Sequence, residues 1–389
     1  MAFADVGDLM GRARSLTRTA ILLASQGEPK QALELHTRAL QIARQIGSQK
    51  DVAGALINVG NQNADVGDLE SAKESYLQAL AISREIDDKK NILDIQNNLG
   101  TLYQSLCDFE GAKNVYEQSR QTAEAIGDKA STAIAVYNSG GVAYRLGDLA
   151  GARGKIESAI AAVQKLGIKT NVADWLMTLG DVKLAEGDNQ AAEDACKKAR
   201  GLIPADDDYG LAVNQLVMAS LNLEKGQGGE AESMARQSAK KFQGLGIPDN
   251  EAAAREVMAR ALLAQNKTAE AAKEIDLALR LSPRDCAVRL SLALTQARLL
   301  AQGKKFVPAR QKLDGALAEA RTKKLFGFEL EARLAKGEIE GMVGNVRAAR
   351  MDLEAVQKGA TQRGFLGLSR KASDLLGSAA SSAPNPAGT

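Results

Sequence analysis

The chain has 389 residues, of which 45% are apolar, 25% charged and 4% aromatic, which is typical of a folded globular protein with room for several domains. Its 50 basic and 48 acidic residues leave a net charge of +2, so no overall field attracts it to nucleic acid or anionic lipid. No apolar run approaches the roughly 18 residues of a membrane span, and the N-terminus lacks the basic region of a signal peptide. We therefore predict a cytoplasmic protein that binds neither nucleic acid nor a membrane.

A repeat of about 40 residues organises almost the whole chain. Its clearest mark is a turn position that usually holds glycine, often followed by an acidic residue. The nine occurrences are Gly27, Gly67, Cys107, Gly147, Gly187, Gly226, Asn266, Gly303 and Gly344. They divide residues 1–363 into nine units.

Small residues recur on both sides of each turn at helical spacing. In the second unit Gly60 stands seven residues before Gly67, while Ala72 and Ala79 stand five and twelve residues after it. Positions seven apart fall on one face of a helix, so each unit is predicted to form two antiparallel helices, A before the turn and B after it, packed through small residues. Glycine tolerates the left-handed conformation that ends helix A, and a following aspartate can cap helix B.

The C-terminal units follow the pattern more loosely. In the eighth unit Gln296 occupies the small position, and Ala309 is one place out of register. Residues 364–377 are predicted to form a capping helix, because the end repeat of a solenoid must be covered. Residues 378–389 are rich in Ala, Ser, Pro and Gly and are predicted to be disordered. No comparable cap precedes the first unit, which indicates a fragment or a lost upstream domain.

The segment NNLGTLYQSLCDFEGAKNVYEQS, with its small residues and Tyr116 between them, resembles tetratricopeptide repeats (TPRs). The resemblance covers about residues 10–363, and the long period is similar to that of extended TPRs in bacterial regulatory and adaptor proteins. It implies an all-α fold, a right-handed superhelical solenoid of antiparallel helix pairs. In such a TPR array the A helices line a concave groove.

The residues able to perform chemistry do not form a catalytic pattern. His36 is the only histidine, and it falls at the helix B position that holds Tyr76 and Tyr116 in later units, which indicates packing. The three cysteines lie about ninety residues apart without a CxxC pair, which argues against a zinc site. The glycine-rich segments lack the spacing of phosphate-binding loops. We predict a non-enzymatic protein without a metal or a cofactor.

A row of asparagines marks the predicted groove. Asn58, Asn98 and Asn138 each stand two residues before a small residue of helix A. A carboxamide both donates and accepts hydrogen bonds, so it can hold the backbone of an extended peptide. The resemblance implies the same role, since TPR arrays that hold extended peptides use asparagines at this position. The other predicted peptide-binding residues on this face are Asn61, Asn97, Thr101, Tyr137, Tyr144 and Arg145.

Two questions stay open at the level of the sequence. The asparagines could instead hydrogen-bond helix A of the next repeat and only fix the superhelix. The function is predicted to be that of an interaction scaffold that binds an extended peptide or a partner helix in the groove. The alternative is a ligand-sensing or regulatory TPR module of a larger bacterial signalling protein, such as a kinase or a transcription regulator.

Overall fold

The structure, a computed structural model, describes the backbone of residues 2–381 and the side chains of residues 8–377. Over that range the chain forms nineteen α-helices and no strand, which confirms the all-α prediction. The helices are α1 (Ala2–Ser25), α2 (Pro29–Ile46), α3 (Gln49–Val66), α4 (Leu69–Glu85), α5 (Lys89–Ser105), α6 (Phe109–Ala125), α7 (Lys129–Arg145), α8 (Leu149–Lys165), α9 (Val172–Ala185), α10 (Asn189–Leu202), α11 (Asp208–Glu224), α12 (Gly228–Leu245), α13 (Pro248–Ala264), α14 (Thr268–Arg280), α15 (Cys286–Gln302), α16 (Phe306–Thr322), α17 (Phe326–Met342), α18 (Val346–Arg363) and α19 (Leu366–Ser381).

Odd-numbered helices up to α17 are the A helices of the repeats, and even-numbered helices are the B helices. The helix after the ninth pair, α19, runs to Ser381 rather than to residue 377. Residues 382–389 of the predicted disordered tail lie outside the described residues. Within the described part of the chain, no helix is both long enough and apolar enough to cross a bilayer.

The chain divides into two compact units, Met1–Ser139 (the N-terminal unit) and Gly140–Thr389 (the C-terminal unit). In the N-terminal unit each helix from α1 to α5 packs against the next one in sequence. Its core joins both helices of the second repeat to helix A of the third, through residues that include Leu56, Tyr76 and Leu99.

The C-terminal unit closes on itself. Each A helix from α9 to α17 contacts the next A helix, α17 contacts α19, and α19 in turn contacts α9. The result is a closed series of six helices with the B helices packed outside it. Apolar residues between the layers, among them Met258, Leu262 and Ile275, form a core of this unit.

The turns have the predicted backbone conformation in eight of the nine repeats. Gly67 and Gly147, for example, have φ values of +86° and +83°, and Cys107 adopts a positive φ of +57° in place of glycine. The carboxylates of Asp68 and Asp148 then cap the following helices. These turns end helix A and begin helix B, as predicted from the sequence.

The eighth repeat is the exception, and the prediction there was wrong by one residue. Gly303 has a φ of −76°, whereas Lys304 takes the left-handed conformation with a φ of +58°. Counted from Lys304, the small position is Ala297 instead of Gln296, and Ala309 is in register. Both alanines are fully buried. The packing of the small residues, rather than the glycine, therefore sets the register of this repeat.

In the second, third, fourth and ninth repeats a large side chain of helix B lies over the small residue of helix A. A Cβ atom placed on Gly60 would lie 2.6 Å from the Tyr76 ring, and one on Gly100 would overlap the Tyr116 ring. His36 occupies the equivalent helix B position of the first repeat and is 5% exposed. Burial lowers the pKa of His36. Its position is that of a packing residue.

Candidate functional site

In the N-terminal unit, one amide contact links the A helices of successive repeats. The Asn98 side chain of α5 donates a hydrogen bond to Asn61 Oδ1 of α3 over 3.0 Å. The Tyr76 hydroxyl donates to the same oxygen over 2.7 Å. Asn58 and Asn98 are half-buried, while Asn61 is exposed. The contact between Asn98 and Asn61 is thus a bridge between two repeats, the role that the asparagines have if they only fix the superhelix.

Two other predicted site residues turn their polar atoms towards helix B of the third repeat. Asn97 Oδ1 accepts a hydrogen bond from the Ser119 hydroxyl over 2.8 Å. The Thr101 hydroxyl lies 3.3 Å from the Tyr116 hydroxyl, and Gln104 donates to that same hydroxyl over 2.8 Å. These contacts fix helix A to helix B, so they orient the polar face of α5.

The remaining predicted residues lie on α7, which contributes to both units. Tyr137 and Asn138 are half-buried in the N-terminal unit. Tyr144 and Arg145, one to two helical turns further along, line a cavity of the C-terminal unit. The peptide-binding role of all nine predicted residues stays a prediction.

The cavity of the C-terminal unit has a volume of about 570 Å³ and lies between the A helices, open to solvent on one side. We call it the A-helix cavity. Its walls are α9, α11, α13, α15, α17 and α19, together with the end of α7. Because each repeat contributes residues at the same helical positions, side chains from six repeats and from α19 face a common space. Many of these side chains are charged.

Most of the basic residues at the A-helix cavity have an acidic partner. Arg298 Nε lies 2.9 Å from Glu338 Oε2, and both side chains are 28% exposed. Lys371 Nζ lies 2.7 Å from Glu224 Oε1, and an Arg260 guanidinium nitrogen lies 3.8 Å from the same oxygen. These pairs join α15 to α17, α19 to α11, and α13 to α11.

Besides the buried Glu256, two carboxylates at the cavity have no such partner. Among the residues that the structure describes, no basic side chain lies within 4 Å of Asp181 on α9 or Glu331 on α17. Burial raises the pKa of Asp181 to about 6, and the nearby Arg145 opposes the rise only in part. Burial also raises the pKa of Glu331, against the more distant Arg260, Arg298 and Lys371.

Tyr144 and Glu256 complete this polar wall. Burial raises the pKa of Tyr144, and the carboxylates of Asp181 and Glu331 add to the effect, which shows that the three groups are close. Glu256 is 4% exposed, and its carboxylate accepts a hydrogen bond from the buried Thr295 hydroxyl over 2.5 Å. In the described part of the chain, the Tyr144 hydroxyl has no hydrogen-bond partner.

Helix α19 closes the cavity through a short seam with α9 and the turn that follows it. The Arg370 guanidinium donates a hydrogen bond to the Gly187 carbonyl over 2.8 Å. A Cβ atom on Gly187 would lie 2.7 Å from the backbone nitrogen of Gly367, so glycine allows the two backbones to approach. Beside this contact, Leu149 packs with Leu330 in a small apolar core.

Sequence reasoning found Tyr144 and Arg145 but missed most of the charged residues of the cavity. The signal that was not followed through the C-terminal unit is the column one residue after the small position of helix A, which supplied Asn61 and Thr101 in the N-terminal unit. In the C-terminal unit, five members of this column line the cavity: Asp181, Ser220, Arg260, Arg298 and Glu338. The residue type in this column differs from repeat to repeat, so the column is not recognisable as a motif. Arg298 was not assigned to it because the turn of the eighth repeat was predicted one residue too early.

Metal-binding and thiol groups can be examined directly in the described part of the chain. Among the described residues, no group of three or more His, Cys, Asp and Glu side chains is placed to hold a metal ion. The Cys196 thiol is buried against Gly180, and burial raises its pKa to about 12, so it is a poor nucleophile.

Comparisons with known proteins agree with this architecture. A Rap protein complexed with Competence and Sporulation Factor is similar over 96% of this chain and 99% of that chain, with 12% identity and a TM-score of 0.61. The apo quorum sensor NprR from B. thuringiensis is similar over 96% of this chain and 99% of that chain, with 13% identity and a TM-score of 0.52. The apo form of RapI matches 66% of this chain and 98% of that chain, with 15% identity and a TM-score of 0.50.

At these identities the structural similarities establish the fold. A search of curated proteins gave no significant match. The family described as the MalT-like TPR region matches residues 9–292, which is well over half of the chain. The sequence-based resemblance to TPR proteins is thereby confirmed, and the chain belongs to the MalT-like TPR region family.

Proposed function

We propose that the chain is a non-enzymatic interaction module that binds an extended peptide or a partner helix against its A helices. The observation that carries the proposal is the A-helix cavity, a space of about 570 Å³ lined by polar and charged side chains of both signs. Concave sites with a few converging polar groups are the usual form of a ligand-binding site. A cytoplasmic location is part of the same proposal and is tested by cell fractionation.

Two proteins with the same fold support the proposal by analogy. The Rap protein was solved in complex with Competence and Sporulation Factor, and NprR is a quorum sensor. The fold is therefore used elsewhere for binding and signalling. For this chain, the residues of its own cavity determine which ligands it can bind.

The asparagine row of the N-terminal unit is proposed as a separate binding surface. Asn58, Asn98 and Asn138 would hold ligand backbone, with Tyr137 supplying apolar contact. The hydrogen bond between Asn98 and Asn61 uses only one amide N–H of Asn98. A carboxamide has a second N–H and a carbonyl oxygen, so Asn98 keeps groups for a ligand.

The experiment uses a pool of random pentapeptides and the immobilised full chain, with mass spectrometry of the retained peptides. Ser220 lines the A-helix cavity on α11, so Ser220→Phe fills part of the space without changing a charge. Ser233 is exposed on α12, so Ser233→Phe is the matched control. We expect the parent chain and the control to retain peptides and Ser220→Phe to lose them. Equal retention by all three proteins would contradict a site in the cavity.

The second candidate function is that of a regulatory or ligand-sensing module within a larger signalling protein. The match to the MalT-like TPR region and the likeness to a quorum sensor favour it. The sequence of the gene upstream of Met1 tests it. A kinase or DNA-binding domain encoded in the same reading frame supports this function, and a stop codon directly upstream argues against it.

A further inference from the structure

We infer that the A-helix cavity binds a ligand that carries an organic cation, an ammonium or a guanidinium, between Asp181 and Glu331. The inference deepens the proposed function of this cavity and rests on it. The cation can belong to a lysine or arginine side chain or to the free amino terminus of a peptide, since these share the same chemistry.

The acids and bases of the cavity are not balanced. Arg260, Arg298 and Lys371 each lie within 4 Å of a carboxylate, on Glu224 or Glu338. These three bases are therefore already engaged.

Three carboxylates and one guanidinium are left over at the cavity wall. In the part of the chain that the structure describes, Asp181, Glu256 and Glu331 have no basic group within 4 Å, and Arg145 has no carboxylate within that distance. Over all the charged residues that line the cavity, five carboxylates face four basic groups, since Arg260 and Lys371 share Glu224, which leaves a net charge of about −1 at neutral pH. A cationic group placed among them would restore the balance.

Glu256 provides an observation that is independent of the Asp181 and Glu331 pair. It lines the cavity yet is only 4% exposed. Its only hydrogen bond in the described structure comes from the Thr295 hydroxyl. A buried carboxylate normally has a basic partner, because removing an ion from water is costly. Among the side chains that the structure describes, no basic group lies within 4 Å of Glu256.

The surroundings of Asp181 and Glu331 point to the same conclusion. Both side chains line the cavity and are half-buried, and this burial raises the pKa of both groups. Unpaired carboxylates in such a place cost stability, and residues of this kind are common at functional sites.

Tyr144 lies at the same place and suits a cation in two ways. Its hydroxyl has no hydrogen-bond partner in the described structure and can accept an N–H from an ammonium or a guanidinium. Its ring face can also attract a cation. The cavity volume of about 570 Å³ exceeds the space needed by a small ion, so it accommodates a cationic side chain together with the backbone that carries it.

The test compares defined peptide pools on the immobilised full chain. Each pool holds pentapeptides with acetylated and amidated ends, neutral residues at four positions, and Lys, Arg, Gln or Glu fixed at the centre. We expect the Lys or Arg pool to be retained at least about tenfold better than the Gln pool, with the Glu pool weakest, because a charge-assisted hydrogen bond is roughly twice as strong as a neutral one. A fifth pool has Gln at the centre and a free amino terminus. If this fifth pool is retained and the capped Lys and Arg pools are not, the bound cation is the terminal ammonium.

The double variant Asp181→Asn with Glu331→Gln keeps the shape of both side chains and removes their charges. We expect it to lower the preference for cationic pools to less than about twofold, since only hydrogen bonds of neutral strength remain. Glu354 is exposed on α18, so Glu354→Gln is the matched control and should leave the preference unchanged. Far-UV circular dichroism checks that the variants are folded.

The outcomes separate the inference from the proposed function. If the capped Gln or Glu pool is retained as well as the cationic pools, and Ser220→Phe abolishes its retention, the inference is wrong and the function stands. If the double variant keeps the cationic preference, the inference is also wrong. If no pool is retained by the parent chain, both the inference and the proposed function fail.

Discussion

The contact between a helix A glycine and a helix B side chain determines how closely the two helices of a repeat approach. In the third repeat the Tyr116 ring covers Gly100, leaving no room for a Cβ atom. In the ninth repeat Leu353 covers Gly337 in the same way. Glycine at these helical positions is therefore required by packing, although it is a poor helix former.

We expect Gly100→Ala to lower the free energy of unfolding by about 1 to 3 kcal/mol, because the added methyl group overlaps the Tyr116 ring. Gly54→Ala is the control, since Gly54 lies within helix α3 and an added Cβ atom there meets no atom within 4 Å. It should raise the stability by about 0.5 to 1 kcal/mol, because alanine is the better helix former. Urea denaturation measures both, and a similar loss for the two variants would contradict the packing account.

Asp181 makes stability depend on pH with a definite sign. Its folded pKa of about 6 lies above the ordinary value of 3.8, so the folded protein binds more protons than the unfolded chain between these values. Stability from this group therefore falls as the pH rises from 3.8 to 6. Asp181→Asn should be more stable than the parent by about 1 to 3 kcal/mol at pH 7.5.

The same comparison at low pH provides the internal check. Below pH 3.8 Asp181 is protonated in both states, so the advantage of Asp181→Asn should disappear. Asp276→Asn, at an exposed position of α14, controls for the loss of a surface carboxylate and should show no such dependence. An Asp181→Asn variant that is less stable than the parent at pH 7.5 would contradict the assignment of an unpaired buried charge.

Some site residues were predictable from the sequence and others were not. The asparagines were found because one residue type recurs at one helical position, and Tyr144 and Arg145 because they share that face. Glu256 and Glu331 could not be found, because each occupies its position in a single repeat and its burial depends on helices distant in sequence. The partner of Asn98 likewise became visible only in the structure.

At the level of the helices, helix B begins at an aspartate N-cap in the second to fifth repeats. Asp108 Oδ1 accepts a hydrogen bond from the Gly111 backbone N–H over 2.9 Å at the start of α6. Helix α16 starts without such a cap, since the side chain of its N-cap residue, Lys305, accepts no hydrogen bond. The difference allows a direct comparison of two helix starts in one protein.

Asp108→Ala should destabilise the protein by about 0.5 to 2 kcal/mol, because it removes the acceptor for an otherwise unpaired backbone N–H of α6. Lys305→Ala removes no cap and should change the stability by less than about 0.5 kcal/mol. Thermal and urea denaturation provide the comparison. Equal losses for the two variants would show that the cap does not stabilise α6.

The helix pairs were predictable because their turn chemistry and small-residue spacing are local. The eighth repeat shows the limit of this reasoning. There a lysine takes the left-handed conformation next to an available glycine, because Ala297 and Ala309 must pack. The contact between α19 and α9 was beyond prediction, since Gly187 and Gly367 are 180 residues apart and the repeat pattern explains Gly187 by its turn alone.

For the whole molecule, we propose ligand binding at the C-terminal unit because its A helices and α19 form a closed series around a cavity. In a repeat array each repeat contacts only the repeats beside it. Each A helix alone presents only a few polar groups. Closure by α19 brings such groups from six repeats around one cavity. The sequence placed most predicted binding residues in the N-terminal unit, because only there does a polar residue type recur regularly.

Photo-cross-linking tests most directly whether the A-helix cavity binds a peptide. The probe is a capped pentapeptide pool with lysine at the centre and a benzoylphenylalanine beside it, applied to the full chain and mapped by mass spectrometry. We predict adducts on the cavity faces of α9, α13, α15 and α17, and their loss in Ser220→Phe but not in Ser233→Phe. Adducts confined to the B helices, or adducts unaffected by Ser220→Phe, would contradict the account.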